Sequence, residues 1–170
     1  MPDFFDGNPA DISWYPPGDD KEKQEKLGAW FKERASPPQA LERISKVIDE
    51  LKKSRGVEEW AICGFCWGGK IVNLSSQKGS LFKVGASVHP AMVAAEDAKA
   101  ATIPIIMLPS KDEPKEDVEA WQKEIKTPSV VEWFPDQVCS TMSCPNGSEK
   151  LTIIRCTVSW LREAISRTRM

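Results

Sequence analysis

Glu59-Trp60-Ala61-Ile62-Cys63-Gly64-Phe65-Cys66-Trp67-Gly68-Gly69-Lys70 is the stretch on which the fold turns. Its first part is a short apolar run ending at Gly64, and its last part leads into the apolar segment Ile71 to Leu74. That order predicts a strand, a sharp glycine-rich corner and a helix. The spacing Gly64-x-Cys66-x-Gly68 has a mechanical reason. A nucleophile held on a strained strand-to-helix corner needs neighbours without side chains, so that the flanking strand and helix can come close. Cys66 would then point out at the carboxyl end of a sheet, where open α/β sheets bind ligands. Its thiol would sit at a helix N-terminus, whose dipole favours thiolate, with the Trp67 backbone N–H aimed at a developing oxyanion. The bland alternative is a tight glycine turn around a buried cysteine.

Outward from the corner, strand-like runs recur at Lys83 to Val88, Ile103 to Leu108 and Ser129 to Phe134, separated by the charged, Ala-rich stretch Ala91 to Ala101 and a helical pattern from Pro114 to Ile125. Upstream, Leu41, Ile44, Val47, Ile48 and Leu51 recur at helical spacing, between the start signal Ser36-Pro37-Pro38 and the stop Ser54-Arg55-Gly56. Residues 1 to 38 are rich in Pro, Gly and acidic residues, with one short helical candidate at Lys23 to Arg34. Near the end, Leu151, Ile154, Val158, Leu161 and Ile165 share a helical stripe, although the β-branched content of 152 to 158 leaves a strand open. The alternation predicts an α/β fold: a mostly parallel sheet of about four strands with helices on both faces, in a single domain over residues 1–170.

Composition removes several classes of function. The chain has 170 residues with 23 Lys+Arg against 25 Asp+Glu and a formal net charge of −2. Without a basic run longer than two residues it lacks the electrostatic footprint of a nucleic-acid binder, and it has no polybasic patch for a membrane. The longest apolar stretch, Ile103 to Pro109, falls far short of the roughly 20 residues of a spanning helix. The N-terminus has no signal-peptide character, so a cytoplasmic protein is expected. Five cysteines, an odd number, argue for reduced thiols. Cys63-x-x-Cys66 could be a redox pair or half a zinc site, but Cys139 and Cys144 are wrongly spaced for the other half, and Cys63 reads better as a small apolar strand residue. Trp30, Trp121, Trp133 and Trp160 lie in regular patterns and are expected in the core. Trp14-Tyr15 could roof a pocket, and Asn146-Gly147-Ser148 reads as a turn.

A nucleophile at such a corner is followed in sequence by an acid after a later strand, and then by a histidine. Asp112 fits the acid, in the loop Pro109-Ser110-Lys111-Asp112-Glu113 behind the third strand; Glu113 and Asp117 are the alternatives, and a solvated loop acid is the plain one.

At this point the sequence resembles the dienelactone hydrolase family, specifically its fungal branch. The resemblance rests on Met1-Pro-Asp-Phe-Phe-Asp-Gly, Ala10-Asp-Ile-Ser-Trp-Tyr-Pro-Pro, Gly64-Phe-Cys-Trp-Gly-Gly-Lys-Ile-Val-Asn-Leu-Ser-Ser, His89-Pro-Ala-Met, Leu108-Pro-Ser-Lys-Asp-Glu and Phe134-Pro-Asp-Gln-Val, over about residues 1 to 138. It implies a partial α/β-hydrolase fold and a Cys-His-Asp triad that opens small lactones or esters through a thioester, with no metal or organic cofactor. Cys66 matches the nucleophile and Asp112 the acid.

Two departures follow. Where the family reads Val-His-Gly after Pro-Asp-Gln, this chain reads Val138-Cys139-Ser140, so the triad histidine is replaced by Cys139, which cannot be the base for another thiol. From Cys139 on, residues 139–170 diverge, as an altered reading frame or splice form would make them; a catalytically impaired remnant or binding protein is therefore the alternative function. At the other end, the resemblance begins after the family's first strands and second oxyanion loop, which are expected to lack a counterpart among residues 1–170. This leaves Trp60 to Cys63 expected on an exposed sheet edge, open to self-association. His89, the only histidine, ends the second strand beside the nucleophile strand. It is expected to line the pocket, and standing in as base or holding a structural hydrogen bond are its other readings.

Overall fold

Asp11 and Asp20 each start a helical element in the computed structural model, which describes residues 2–15 and 18–136. The Asp11 carboxylate accepts from the Ser13 N–H ahead of a single 3-10 turn (Ile12–Trp14), and Asp20 accepts from the Lys23 N–H ahead of α1 (Lys21–Arg34). α1 buries none of its residues. Trp30 is therefore not a core residue, contrary to expectation. With Leu27, Trp30 and Phe31 as its only large apolar side chains, the stripe is too narrow to bury a helix. Trp30 instead donates its indole N–H to the Asn8 carbonyl at 3.1 Å and lies 4.7 Å from the Phe5 ring.

α2 (Pro37–Arg55) follows directly. Pro37 and Pro38 fill the first turn, where an N–H would have no helical partner, and the Ser36 hydroxyl makes no cap bond. Ala40, Ile44 and Ile48 form its buried face. The helix stops at Gly56, whose left-handed φ of 62° lets its N–H donate back to the Lys52 carbonyl. Arg43 ties down the N-terminal loop by donating to the Phe4 carbonyl at 2.6 Å and pairing with Asp6. These elements belong to the first of two compact units, Met1–Val57 and Glu58–Met170.

The second unit alternates strand and helix: β1 (Ala61–Phe65), α3 (Trp67–Ser75), β2 (Val84–Val88), α4 (Ala95–Ala100), β3 (Ile105–Leu108), α5 (Lys115–Glu124) and β4 (Ser129–Val131). The four strands are parallel and lie in the order β1-β2-β3-β4. β3 begins two residues later than its apolar run because Pro104 has no N–H for the ladder; its carbonyl still accepts from the Gly85 N–H at 2.9 Å. Past β4 the chain keeps touching the end of β3, with the Phe134 N–H donating to the Pro109 carbonyl at 2.8 Å.

Right-handed crossovers between strands laid down in sequence order put every connecting helix on one face. α3, α4 and α5 obey this. A Cβ on Gly85 would meet Val72 of α3 at 2.9 Å, and Ala98, Ala101, Val118 and Trp121 pack on Ile105 and Met107. The other face of β2 and β3, carrying Ala86, Val88, Ile106 and Leu108, is buried as well and is joined by Phe134. Both faces of the inner strands are thus closed, as continuous apolar runs such as Ile105–Leu108 require. β1 is an edge strand, and Ala61, Cys63 and Phe65 are exposed along one of its faces. Among the described residues no helix is long and apolar enough to cross a membrane.

Candidate active site

Backbone hydrogen bonds hold the corner between β1 and α3. The Cys66 N–H donates to the Val88 carbonyl at 3.1 Å, and the Cys66 carbonyl accepts from the N–H groups of Gly69 and Ala91, each at 2.9 Å. Between these bonds Cys66 adopts φ 50°, ψ −116°. This is the mirror image of an ordinary extended conformation, open to glycine and strained by about 1–3 kcal/mol for a residue with a Cβ. Cys66→Gly is accordingly expected to stabilise the fold by about 1 kcal/mol after the added freedom of the unfolded chain is subtracted. A urea midpoint that falls instead of rising would show that the corner is not strained.

The three glycines play different parts. A Cβ on Gly64 would run into the Gly68 carbonyl, and one on Gly69 would meet Pro90 Cβ at 2.8 Å and Ser87 Oγ at 2.9 Å. A Cβ on Gly68 would touch nothing within 4 Å. The motif reading is corrected on this point: Gly68 contributes its close-lying backbone, and the second position that excludes a side chain is Gly69.

Behind the corner lies a polar network that sequence reasoning missed. Asn73 Nδ2 donates to the Gly69 carbonyl at 3.0 Å and to Ser87 Oγ at 3.3 Å, Ser87 Oγ donates to the same carbonyl at 3.2 Å, and Trp121 Nε1 donates to Asn73 Oδ1 at 3.0 Å. Asn73, Ser87 and Trp121 are all buried. The network fastens the first turn of α3 to β2 and α5. Its available signal was an Asn inside the apolar run Ile71 to Leu74, one helical turn after Gly69. A second unforeseen contact, Lys70 with Asp97 at 2.5 Å in largely buried surroundings, joins α3 to α4.

His89 follows β2 where Cys66 follows β1. Its N–H donates to the Leu108 carbonyl at 2.8 Å, its φ is 35°, and its ring centre lies 5.9 Å from that of Phe65. Both ring nitrogens are buried and have no hydrogen-bond partner among the described residues. An unpaired buried donor costs about 1–3 kcal/mol, so the position calls for an explanation. Met92, three residues on, has φ 54°. Of the described non-glycine residues with positive φ, Cys66, His89 and Met92 follow the carboxyl ends of β1 and β2, and Asp6 lies in the first unit.

Asp112 is on the exposed loop after β3, with its N–H donating to Ser110 Oγ at 3.3 Å. Glu113, the first alternative, is engaged otherwise: its carboxylate accepts from the Ser110 N–H. Asp117 is exposed on α5. Cys63 and Cys66 are unbridged. Desolvation by neighbouring groups outweighs the exposure of Cys63's outer side and pushes its thiol up, which disfavours it as a redox partner. Among the described residues no group of three His, Cys, Asp or Glu could hold a metal ion. Trp121 is buried as expected and Trp133 half-buried, while Trp14 and Tyr15 belong to the first unit. Cys139, Cys144, Asn146, Trp160 and the helical stripe from Leu151 lie outside the described residues.

A sequence model of the dienelactone hydrolase family matches residues 1–141. The chain belongs to the dienelactone hydrolase family. The match extends two residues beyond Cys139, where the resemblance had been read to fade. The chain is 32% identical over 127 residues to an uncharacterised AIM2 family protein of Schizosaccharomyces pombe, covering 74% of this chain and 50% of that one. It is 31% identical over 137 residues to the human carboxymethylenebutenolidase homologue, covering 78% and 52%. The chain thus spans about half the length of the curated relatives it matches. Among solved structures, a dienelactone hydrolase from Klebsiella pneumoniae superposes with a TM-score of 0.55 at 21% identity, over 62% of this chain and 52% of that one. That likeness places this dienelactone hydrolase family member in a partial α/β-hydrolase fold.

Proposed function

We propose that the protein is a hydrolase of small lactones or carboxylic esters with Cys66 as its nucleophile. The observation that carries this reading is the backbone at Cys66, a strained left-handed corner between β1 and the start of α3. Structures keep such strain where it serves a site, and here it raises a thiol at the carboxyl end of a parallel sheet. The thiolate attacks the ester carbonyl, the Trp67 N–H at the start of α3 holds the oxyanion, and Asp112 orients the base. The chemistry requires neither a metal nor an organic cofactor. A relative's name, carboxymethylenebutenolidase homologue, agrees with a cyclic enol ester as substrate. The unbridged Cys63 and Cys66 fit a reducing, cytoplasmic setting, and the edge position of β1 offers a route to self-association.

The test is the time course of p-nitrophenyl acetate cleavage by reduced, monodisperse protein beside Cys66→Ala. A burst of one equivalent followed by steady turnover, both absent in Cys66→Ala, is the expected result. The second reading is a family member that has lost turnover. It is favoured by one observation: no described residue hydrogen-bonds to the His89 ring. A burst that stops, or identical traces for the two proteins, would establish that second reading and end the first.

A further inference from the structure

We propose that His89 is the proton acceptor for Cys66, taking the place of the histidine absent from position 139. The inference rests on Cys66 being a nucleophile and adds the group that serves it. The backbone fixes the two residues side by side. The carbonyl that precedes His89 accepts from the Cys66 N–H at 3.1 Å, and the N–H two residues after His89 donates to the Cys66 carbonyl at 2.9 Å. Neighbouring strands are spaced about 4.8 Å apart, which puts the two side chains within reach of each other across the same strand ends. Both residues depart from ordinary backbone, with φ of 50° at Cys66 and 35° at His89, and two such residues at adjoining strand ends, with Cys66 bonded to the residues on either side of His89, mark a functional site more strongly than either alone.

The ring itself supplies the second argument. Neither nitrogen is bonded to any described residue, and both are screened from water. A histidine serving structure would be fixed by a hydrogen bond, and this one has none among the described residues to break when it turns about its Cα–Cβ bond toward the thiol. It is also the only imidazole in the chain.

In the cycle that follows, His89 takes the proton of the Cys66 S–H as the thiolate sulfur bonds to the carbonyl carbon. The C–O bond to the alcohol then breaks and the leaving oxygen takes the proton from His89. Water attacks the thioester while His89 accepts one of its protons. The C–S bond breaks with its electron pair on sulfur, and the proton on His89 returns to the thiolate. The net change is ester plus water to acid plus alcohol, with no further reactant.

The test reads the pair without needing turnover: alkylation of Cys66 by iodoacetamide, located by fragmentation mass spectrometry, in wild type, His89→Gln and His89→Ala. At pH 7 both variants are expected to react about tenfold more slowly, a small part of the 100- to 10,000-fold that a general base can contribute. Added imidazole should restore His89→Ala, and near pH 9.5, where hydroxide can deprotonate thiols in general without a neighbouring base, all three rates should converge. Equal rates at pH 7, or a deficit that imidazole and high pH leave in place, would overturn the proposal. Should the variants fail to fold, the single histidine of the intact protein can be followed by NMR. Its ring titration must move on Cys66→Ala, and an unmoved curve overturns the proposal equally. Cys66-dependent ester cleavage unaffected by His89 would sink this inference and leave the hydrolase reading standing, whereas His89-dependent alkylation without cleavage would do the reverse.

Discussion

Gly64→Ala is expected to lower the unfolding free energy by more than the roughly 1–3 kcal/mol of ordinary overpacking, because the new methyl group meets backbone and not a side chain that can turn away. The atom in its path is the Gly68 carbonyl, inside the first turn of α3. Relief would require β1 and α3 to separate, which would break the bonds from Cys66 to Val88, Gly69 and Ala91 together. Gly68→Ala is the control. It has free space for its Cβ and lies in a helix, where alanine is favoured over glycine by about 1 kcal/mol, so a neutral or stabilising effect is expected. Urea unfolding of the two variants settles the matter. Equal midpoints would mean that strand and helix do not approach as closely as described.

Trp121→Ala should be of similar size, about 3–5 kcal/mol for a fully buried aromatic side chain. Part of that cost is polar, since Asn73 Oδ1 loses its indole donor at 3.0 Å. Trp121→Phe keeps most of the packing and isolates the polar part, expected at about 1–3 kcal/mol. Combining Trp121→Phe with Asn73→Ala in a double-mutant cycle should give less than the sum of the single losses. Strict additivity would show that the bond from α5 to the corner helix contributes nothing of its own.

The corner was legible because one local pattern, an apolar run followed by Gly64-Phe65-Cys66-Trp67-Gly68-Gly69, specifies strand, turn and helix without help from the rest of the chain. The parallel sheet was legible for a related reason: buried strands such as Ile105–Leu108 announce themselves as unbroken apolar runs. What could not be read was whatever depends on a neighbour distant in sequence. Gly68 and Gly69 are indistinguishable in the motif, and only Ser87 and Pro90 decide which of them must lack a side chain. Trp30 belongs by composition to a core, yet α1 offers too narrow a stripe to reach one. Asn73 was passed over within the apolar segment Ile71 to Leu74, since its partners Ser87 and Trp121 lie 14 and 48 residues away. His89 was seen as a neighbour of the nucleophile, but its unpaired nitrogens are a property of packing alone.

The strand order β1-β2-β3-β4 also bears on how the unit is made. Each strand pairs with the one synthesised just before it, so every loop to be closed is a single crossover, and contacts stay short in sequence. Nothing has to be inserted between strands already in place. On the ribosome, where the chain emerges from its N-terminal end, β2 can dock on β1 while β3 is still being translated, and each addition presents the template for the next. Assembly of this unit can therefore keep pace with its own synthesis.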